Sequence, residues 1–361
     1  MSEPRRVTFP HMGDYWVAVK SIAELTGCEV VVPPRITRRT IELGALNSPE
    51  FVCVPFKYNL GNFIEALDRG ANVLCQVGGG CRFSYYAEIQ ETILRDLGYD
   101  FEFVRFEGGG SILEIVREFR DKAAPHVSMA RVAACFWHAF HMGEAIDAVQ
   151  DFIRKNGGFE TAPGTMRDIE ARFLHELEGA KTRRYVDDLL GDTLALLRAV
   201  PLQRPERPLR VQVVGELYVV MEPFSNYRVE DELARNGVEV HRHLDLTTLI
   251  RNSISYRSHV KEMQRHAAPY VTYHIGAEGT ESVARTLDAL RGGFDGAVHL
   301  KPFGCMPEVN AMTAMQRISR EHTFPILFVS CDAQAAETGL RTRVEAFVDM
   351  LRAREAGLIN A

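Results

Sequence analysis

Short β-rich runs that end in proline or glycine alternate with helical stretches along most of this chain. In the first third, amphipathic stretches such as 14–26 and 85–97 separate the runs "VTFPHM", "CEVVVPP", "FVCVPFK", "ANVLCQVGG" and "FEFVRFEGGG". Parallel strands need a long crossover connection, which is usually a helix. The alternation therefore predicts an open, mainly parallel α/β sheet covered by helices.

The alternation is interrupted once, and the interruption divides the chain. Residues from about 125 to 200 form charge-rich helical patterns without a strand, and "PLQRPERP" follows them as a proline-rich break. The alternation then resumes with "LRVQVVGELY", "VEVHRHL", "GAVHLKPFG" and "FPILFVSCD". We predict an N-terminal α/β domain over 1–125, a helical connector over 126–205 and a C-terminal α/β domain over 206–361.

Bulk properties are those of a cytoplasmic globular protein. The chain has 361 residues, of which 46% are hydrophobic, and its formal charge of −6 gives no electrostatic reason to bind nucleic acid or an anionic membrane. The N-terminus lacks the pattern of a signal peptide, and no run of 18 apolar residues occurs. In the cytoplasm the seven cysteines are not expected to form a disulfide framework. Some of them are therefore candidates for metal binding.

The position of each cysteine relative to its predicted strand separates the candidates. In open parallel sheets the functional crevice lies outside the carboxyl ends of the strands. Cys28 begins a strand, Cys75 lies in mid-strand and Cys135 lies within a helix, so we expect these three to pack in the core. The cysteines that map to the carboxyl edge are Cys53, Cys81, Cys305 and Cys331.

Glycines precede two of these edge cysteines. In "QVGGGCRF", Gly79 and Gly80 allow backbone N–H groups to approach a ligand, and the helix that Cys81 opens favours its thiolate. Gly304 precedes Cys305 in the same way. The alternative is a glycine-rich strand–helix turn that happens to carry a cysteine. The chain has no CxxC pair, so the fold itself would have to assemble a metal site from distant cysteines.

Several charged and polar residues accompany the candidate cysteines. Arg82 follows Cys81, and its positive charge would suit an anionic cluster or substrate, although an ordinary loop charge is the alternative. His138 and His141 are spaced i, i+3 on one helix face, where aromatic packing is favoured over a metal site. The other residues expected near the crevice are Lys57, Tyr58, Glu216, Asn226, His299, Lys301 and Glu308.

Seven runs spread over nearly the whole chain carry a family resemblance. They are "VTFPHMGDYW", "PPRITRRTIELG", "SPEFVCVPFKYNLGNFIEAL", "QVGGGCRFSYYAEIQ", "GELYVVMEPFSN", "HLKPFGCMPE" and "TGLRTRVEAFVDML". Together they resemble the 2-hydroxyacyl-CoA dehydratase / benzoyl-CoA reductase superfamily. The closer resemblance is to its acyl-CoA dehydratase activase-related (CoA-enzyme-activase-like) branch, which is related to double-cubane cluster proteins.

The resemblance implies an iron–sulfur protein whose metal ligands are Cys53, Cys81 and Cys305. The implied cofactor is a [4Fe–4S] cluster, or a double cubane, in the cleft between two α/β domains. The implied partners are an ATP-hydrolysing iron–sulfur activator protein, a small-molecule substrate, and a second copy or a related subunit in a dimer. Cys331 departs from the family pattern, and this chain carries no attached ATPase domain.

Three functions follow as hypotheses. In the first, the chain receives low-potential electrons from the activator and reduces or dehydrates a small substrate at an open cluster iron, because three cysteines leave one iron of a cubane uncapped. In the second, it is a non-enzymatic iron–sulfur electron-transfer or assembly subunit. In the third, it binds CoA or a nucleotide without a cluster. If one cubane is bound, the Sγ atoms of the three cysteines should converge within about 6–7 Å of one another.

Overall fold

The chain divides into two compact units, each built around its own sheet. The computed structural model describes residues 4–78, 81–106, 112–333 and 337–358. Unit 1 comprises Met1–Ile146 with Leu174–Leu189, and unit 2 comprises Asp147–Phe173 with Leu190–Ala361.

The sheet of unit 1 has four parallel strands in the order β2-β1-β3-β4. Its strands are β1 (Arg6–Thr8), β2 (Glu29–Val30), β3 (Val73–Val77) and β4 (Glu102–Phe106). The helices that connect and follow them are α1 (Trp16–Leu25), α2 (Arg38–Asn47), α3 (Val54–Asp68), α4 (Tyr86–Asp96) and α5 (Ile112–Lys122). A single 3₁₀ turn, Arg82–Tyr85, leads directly into α4.

Three long helices follow, in the stretch that the sequence analysis assigns to a helical connector. They are α6 (Met129–Asn156), α7 (Thr165–Glu178) and α8 (Arg183–Ala199). The divisions between the two units fall within these helices. None of the helices in the described ranges combines the length and apolarity that a membrane crossing requires.

The sheet of unit 2 repeats the strand order of unit 1, as β6-β5-β7-β8, again all parallel. Its strands are β5 (Leu209–Gly215), β6 (Val238–Arg242), β7 (Gly296–Pro302) and β8 (Ile326–Cys331). Its helices are α9 (Leu217–Met221), α10 (Val229–Arg235), α11 (Leu246–Ile254), α12 (Tyr256–Ala267), α13 (Gly279–Arg291), α14 (Met306–His322) and α15 (Glu337–Glu355). The prediction of two open parallel α/β sheets is confirmed.

Each strand of a parallel sheet supplies alternate side chains to the two faces, and both faces of the unit 1 sheet are covered. Val73 and Cys75 of β3 face one core, which includes Phe119 of α5, whereas Leu74 faces another core with Phe63 of α3. Strands buried on both faces have continuous apolar runs rather than alternating patterns. This explains why β3 is recognisable in the sequence as an uninterrupted apolar segment.

One predicted strand is wrong. The run "FVCVPFK" belongs to the start of α3, with Cys53 at its N-cap and Pro55 in the first turn. Proline is tolerated there because its missing N–H would have no partner within the helix. Helix α3 is buried on nearly all sides, so its sequence lacks the polar face that identifies an amphipathic helix. Valine and phenylalanine at its start then resemble a strand.

Candidate functional site

Both sheets place a cysteine at the same point of their topology. In each, the first strand pairs with the third, so the direction of winding reverses between β1 and β3 and between β5 and β7. Ligands of open α/β sheets bind at the carboxyl ends of the strands at such a switch point. Cys81 lies after β3 and caps the 3₁₀ turn before α4, and Cys305 lies after β7 and caps α14.

Cys53 reaches the carboxyl edge of unit 1 on a helix rather than at the end of a strand. Asn62 of α3 accepts a hydrogen bond from the His11 N–H at 2.8 Å and donates one to the Pro34 carbonyl at 2.8 Å. These bonds attach α3 to the segments that follow β1 and β2. A Cβ atom at Gly61 would lie only 1.9 Å from the Thr40 carbonyl oxygen, so glycine allows α3 to pack closely against α2.

Tyr86 connects the two edge cysteines of unit 1. The Cys53 Sγ and Tyr86 Oη atoms are 2.7 Å apart, and the Tyr86 ring packs edge-on against Phe56 with centroids 4.8 Å apart. Burial raises the pKa of Tyr86, and the nearby Cys53 and Cys81 sulfurs raise it further. The phenol therefore keeps its proton, so its O–H is available to hydrogen-bond to the Cys53 sulfur. The sequence analysis did not identify Tyr86, although the aromatic run after Cys81 was a signal.

The surroundings of Cys81 suit a thiolate. Its Sγ accepts a hydrogen bond from the Phe83 N–H at 3.5 Å, and a helix N-terminus stabilises negative charge. Arg82 is exposed in the 3₁₀ turn. The predicted ligand-approach residues Gly79 and Gly80 lie outside the described residues.

Cys305 is buried at the edge of unit 2. It is 8% exposed, and its N–H donates to the Pro302 carbonyl at 3.2 Å, which closes the turn after β7. Gly304 has a φ of +87°, a left-handed conformation that side-chain-bearing residues rarely adopt. The glycine therefore makes the tight turn that delivers Cys305 to the N-cap of α14.

Three glutamates gather beside Cys305 at the same edge. Glu216 caps α9 and accepts from the Val219 N–H at 3.0 Å, Glu278 is at the N-cap of α13, and Glu308 lies in the first turn of α14. A Cβ atom at Gly279 would be 2.8 Å from the Pro307 carbonyl oxygen, so the starts of α13 and α14 approach closely. The sequence analysis placed Glu216 and Glu308 near the crevice but missed Glu278, which is far from any strand exit in the sequence.

Two of these acids, Glu216 and Glu278, have raised proton affinity. Burial, followed by repulsion from Glu308, raises the pKa of Glu216 to about 7. Burial and repulsion from both other glutamates raise the pKa of Glu278 well above its usual range. These two carboxyl groups can therefore hold protons near neutral pH.

A fully buried pair completes the unit 2 site. His299 of β7 donates from Nε2 to Glu308 Oε2 at 2.7 Å, and both side chains are 0% exposed. Among the described residues, His299 Nδ1 and Glu308 Oε1 have no hydrogen-bond partner. Lys301, two residues after His299 on the same face of β7, is also buried. Sequence reasoning placed all three near Cys305 but did not pair His299 with Glu308.

The remaining four cysteines have the properties of buried thiols. Cys28 donates to the Ala123 carbonyl at 3.4 Å, and burial raises its thiol pKa together with those of Cys75 and Cys135. Burial, followed by repulsion from Glu216, raises the pKa of Cys331 to about 12. Thiols that resist deprotonation are poor metal ligands.

The two histidines of α6 are engaged by other groups. His138 Nε2 donates to the Ala180 carbonyl at 3.0 Å, and His141 contacts Asp187 at 2.7 Å and Glu144 at 3.3 Å. Within the described parts of each unit, no three histidine, cysteine or acidic side chains are grouped so as to hold a metal ion.

Comparison with known proteins does not assign the chain to a family. No family model matches the chain, and no curated protein matches it. The function therefore has to be argued from the residues themselves.

The donor set of unit 1 fits an iron–sulfur cluster. Such clusters are held by cysteine thiolates, and hydrogen bonds to the sulfurs tune their potential. Cys53 and Cys81 are both partly exposed, each begins a helical segment, and each sulfur contacts a hydrogen-bonding group. Unit 2 offers one further thiol at its own helix N-terminus, Cys305.

Proposed function

We propose that the chain is an iron–sulfur protein in which Cys53, Cys81 and Cys305 ligate a [4Fe–4S] cluster or one cubane of a double cluster. It receives low-potential electrons from an ATP-hydrolysing activator protein and acts on a small substrate in a reduction or dehydration. When bound, the cluster supplies electrons at low potential through an iron that no cysteine caps.

One observation carries the proposal: all three cysteines occupy N-cap positions of helical segments. The partial positive charge of a helix N-terminus lowers the cost of a thiolate. Two of these cysteines also follow the third strand of their sheets, at the switch point. The four other cysteines lack this combination and have raised thiol pKa values.

The chain's own residues would manage protons in this reaction. Glu216 and Glu278 hold protons near neutral pH because burial and mutual repulsion disfavour their charged forms. A reduction or a dehydration needs proton delivery as well as electrons. The neutral carboxyl groups beside Cys305 are therefore suited to donate protons to a substrate bound at this edge, and His299 fixes the orientation of Glu308.

Metal analysis of anaerobically purified protein tests the proposal. About four irons and four sulfides per chain support one cubane, and about eight support two. Cys53→Ser, Cys81→Ser and Cys305→Ala should each lose most of the iron and the low-temperature EPR signal of the reduced cluster. Cys28→Ser and Cys135→Ser are the matched controls and should keep the wild-type iron content.

Two results would contradict the proposal. One is a Cys305→Ala protein with full iron content and an unchanged EPR spectrum. The other is a chain that takes up no iron or sulfide during anaerobic reconstitution. If iron is bound, ATP-dependent reduction of a substrate in the presence of the activator distinguishes an enzyme from an electron-transfer or assembly subunit.

A further inference from the structure

A cavity of about 210 Å³ opens on the helical part of unit 1. It lies between the first half of α6 and the segment that begins α8. Its polar and aromatic lining consists of Arg131, Trp137, His138, His141, Lys181 and Arg183. None of these residues has a place in the iron–sulfur site proposed above.

The cavity carries unneutralised positive charge. Arg131, Lys181 and Arg183 are exposed, and none of them pairs with a carboxylate among the described residues. The two nearby acids, Glu144 and Asp187, are both hydrogen-bonded to His141. Since the whole chain has a formal charge of −6, three unpaired cations around one cavity are a local exception. Such a concentration of charge attracts anions.

Two features hold this arrangement in place. His138 donates to the Ala180 carbonyl at 3.0 Å, which attaches the segment carrying Lys181 to α6. Thr182 accepts a hydrogen bond from the Tyr185 N–H at 3.3 Å and caps the start of α8. The positive end of the α8 dipole therefore lies at the cavity, where it adds to the charge of Arg183.

Trp137 adds a flat apolar surface beside these cations. It is 61% exposed, although tryptophan is usually well buried, and its ring stacks on Phe140 with centroids 5.7 Å apart and an angle of 22° between the planes. Exposed aromatic rings of this kind are typical stacking platforms for nucleobases.

We propose that this cavity binds a small anion that carries a planar ring, the chemistry of a nucleoside monophosphate. The phosphate lies among Arg131, Lys181 and Arg183 at the start of α8, and the ring stacks on Trp137. The small volume of the cavity favours a small ligand, of which the ring and the phosphate are the parts that it would contact. This site is independent of the proposed cluster.

Binding of AMP to the cluster-free chain of 361 residues tests the proposal. Calorimetry should give a dissociation constant at or below about 1 mM, and inorganic phosphate and adenosine should each bind at least about tenfold more weakly. In a Trp16→Phe background, Trp137 is the single tryptophan, so AMP should change its fluorescence. Absence of AMP binding up to about 10 mM would overturn the proposal.

Matched variants locate the ligand. Arg183→Gln should weaken AMP binding about tenfold, whereas Arg184→Gln, the exposed neighbour that pairs with Asp188 at 3.8 Å, should change it less than about twofold. Trp137→Ala should weaken it about tenfold or more through lost stacking. Equal losses for both arginine variants would place the ligand elsewhere. If adenosine binds as tightly as AMP, the cations do not contribute to binding. If inorganic phosphate binds as tightly as AMP, Trp137 does not contribute.

Discussion

The two sheets have the same strand order but carry different chemistry at the same place. In both units, the residue that follows the third strand and caps the next helical segment is a cysteine, Cys81 or Cys305. The helix that leads into the third strand is capped by Cys53 in unit 1 and by Glu278 in unit 2. One position of the scaffold therefore holds a thiol in one unit and an acid in the other.

The neighbours of these positions differ accordingly. In unit 1 the Cys53 thiol packs with Phe83 and Tyr86, and the Cys81 thiol accepts from the Phe83 N–H. In unit 2 Cys305 is accompanied by three glutamates and the buried His299. The common topology determines where a ligand can bind, and the side chains determine what the site can do. In the function proposed above, unit 1 would supply thiolates to a metal cluster and unit 2 would supply protons.

The largest expected effect concerns the buried pair of unit 2. Glu308→Ala should lower the free energy of unfolding by about 3–5 kcal/mol, because it leaves His299 buried without its partner. Glu308→Gln keeps an acceptor oxygen for His299 and should cost about 1–2 kcal/mol. Urea unfolding of the cluster-free protein measures both values.

An exposed pair of the same type in unit 2 provides the control. His266 and Asp288 are 3.1 Å apart, but both side chains are about a third exposed. Asp288→Ala should therefore cost no more than about 1 kcal/mol. If Glu308→Ala lowers the free energy of unfolding as little as Asp288→Ala does, the buried pair contributes no more to stability than an exposed pair.

Much of this comparison could be predicted from the sequence, because strand exits are marked locally. Gly304 and Cys305 follow an apolar run, and the structure places them at the end of β7 as expected. Cys53 was also expected at the carboxyl edge, but on a strand. The sequence could not distinguish a fully buried helix from a strand at that point, since both lack a polar face.

Two residues of the candidate sites, Glu278 and Tyr86, could not be predicted from the sequence. The raised pKa of Glu278 depends on its closeness to Glu216 and Glu308. That closeness arises where α13 and α14 approach each other at Gly279, and these helices are distant in the chain from Glu216. Tyr86 acquires its role through the Gln90 side chain, which donates to the Phe56 carbonyl at 3.2 Å and ties α4 to α3. Such contacts depend on tertiary packing, for which a local pattern carries no signal.

The next effect is a pH dependence that only unit 2 should show. The pKa of Glu216 rises from 4.5 in the unfolded chain to about 7 in the folded one. Between these values the folded state binds more protons, so stability falls as the pH rises and the loss is complete above about pH 7. Glu216→Gln removes this loss and should raise the free energy of unfolding at pH 8 by about 1–3 kcal/mol, with little change near pH 4.5.

Unfolding of cluster-free protein at pH 5, 6, 7 and 8 measures the Glu216 effect. Glu206→Gln, at an exposed position of the same unit, should leave the pH profile unchanged. A Glu216→Gln variant with the wild-type profile would mean that the acids of unit 2 are ionised without cost, and the proposed proton-holding role of this edge would fail.

The smallest effect concerns the phenol of unit 1. Tyr86→Phe keeps the ring against Phe56 but removes the hydroxyl that lies 2.7 Å from Cys53 Sγ, so it should cost about 1 kcal/mol of stability. In the wild type this O–H group stabilises the Cys53 thiolate by hydrogen bonding. Without it, iodoacetamide should modify Cys53 about three times more slowly at pH 7, as followed by peptide mass spectrometry. Modification of Cys305 should be unaffected, and Tyr85→Phe, whose side chain is 70% exposed, should change neither rate. A Tyr86→Phe protein in which Cys53 reacts as fast as in the wild type would show that the phenol does not activate this thiol. The difference between the two units would then rest on the cysteines and glutamates alone.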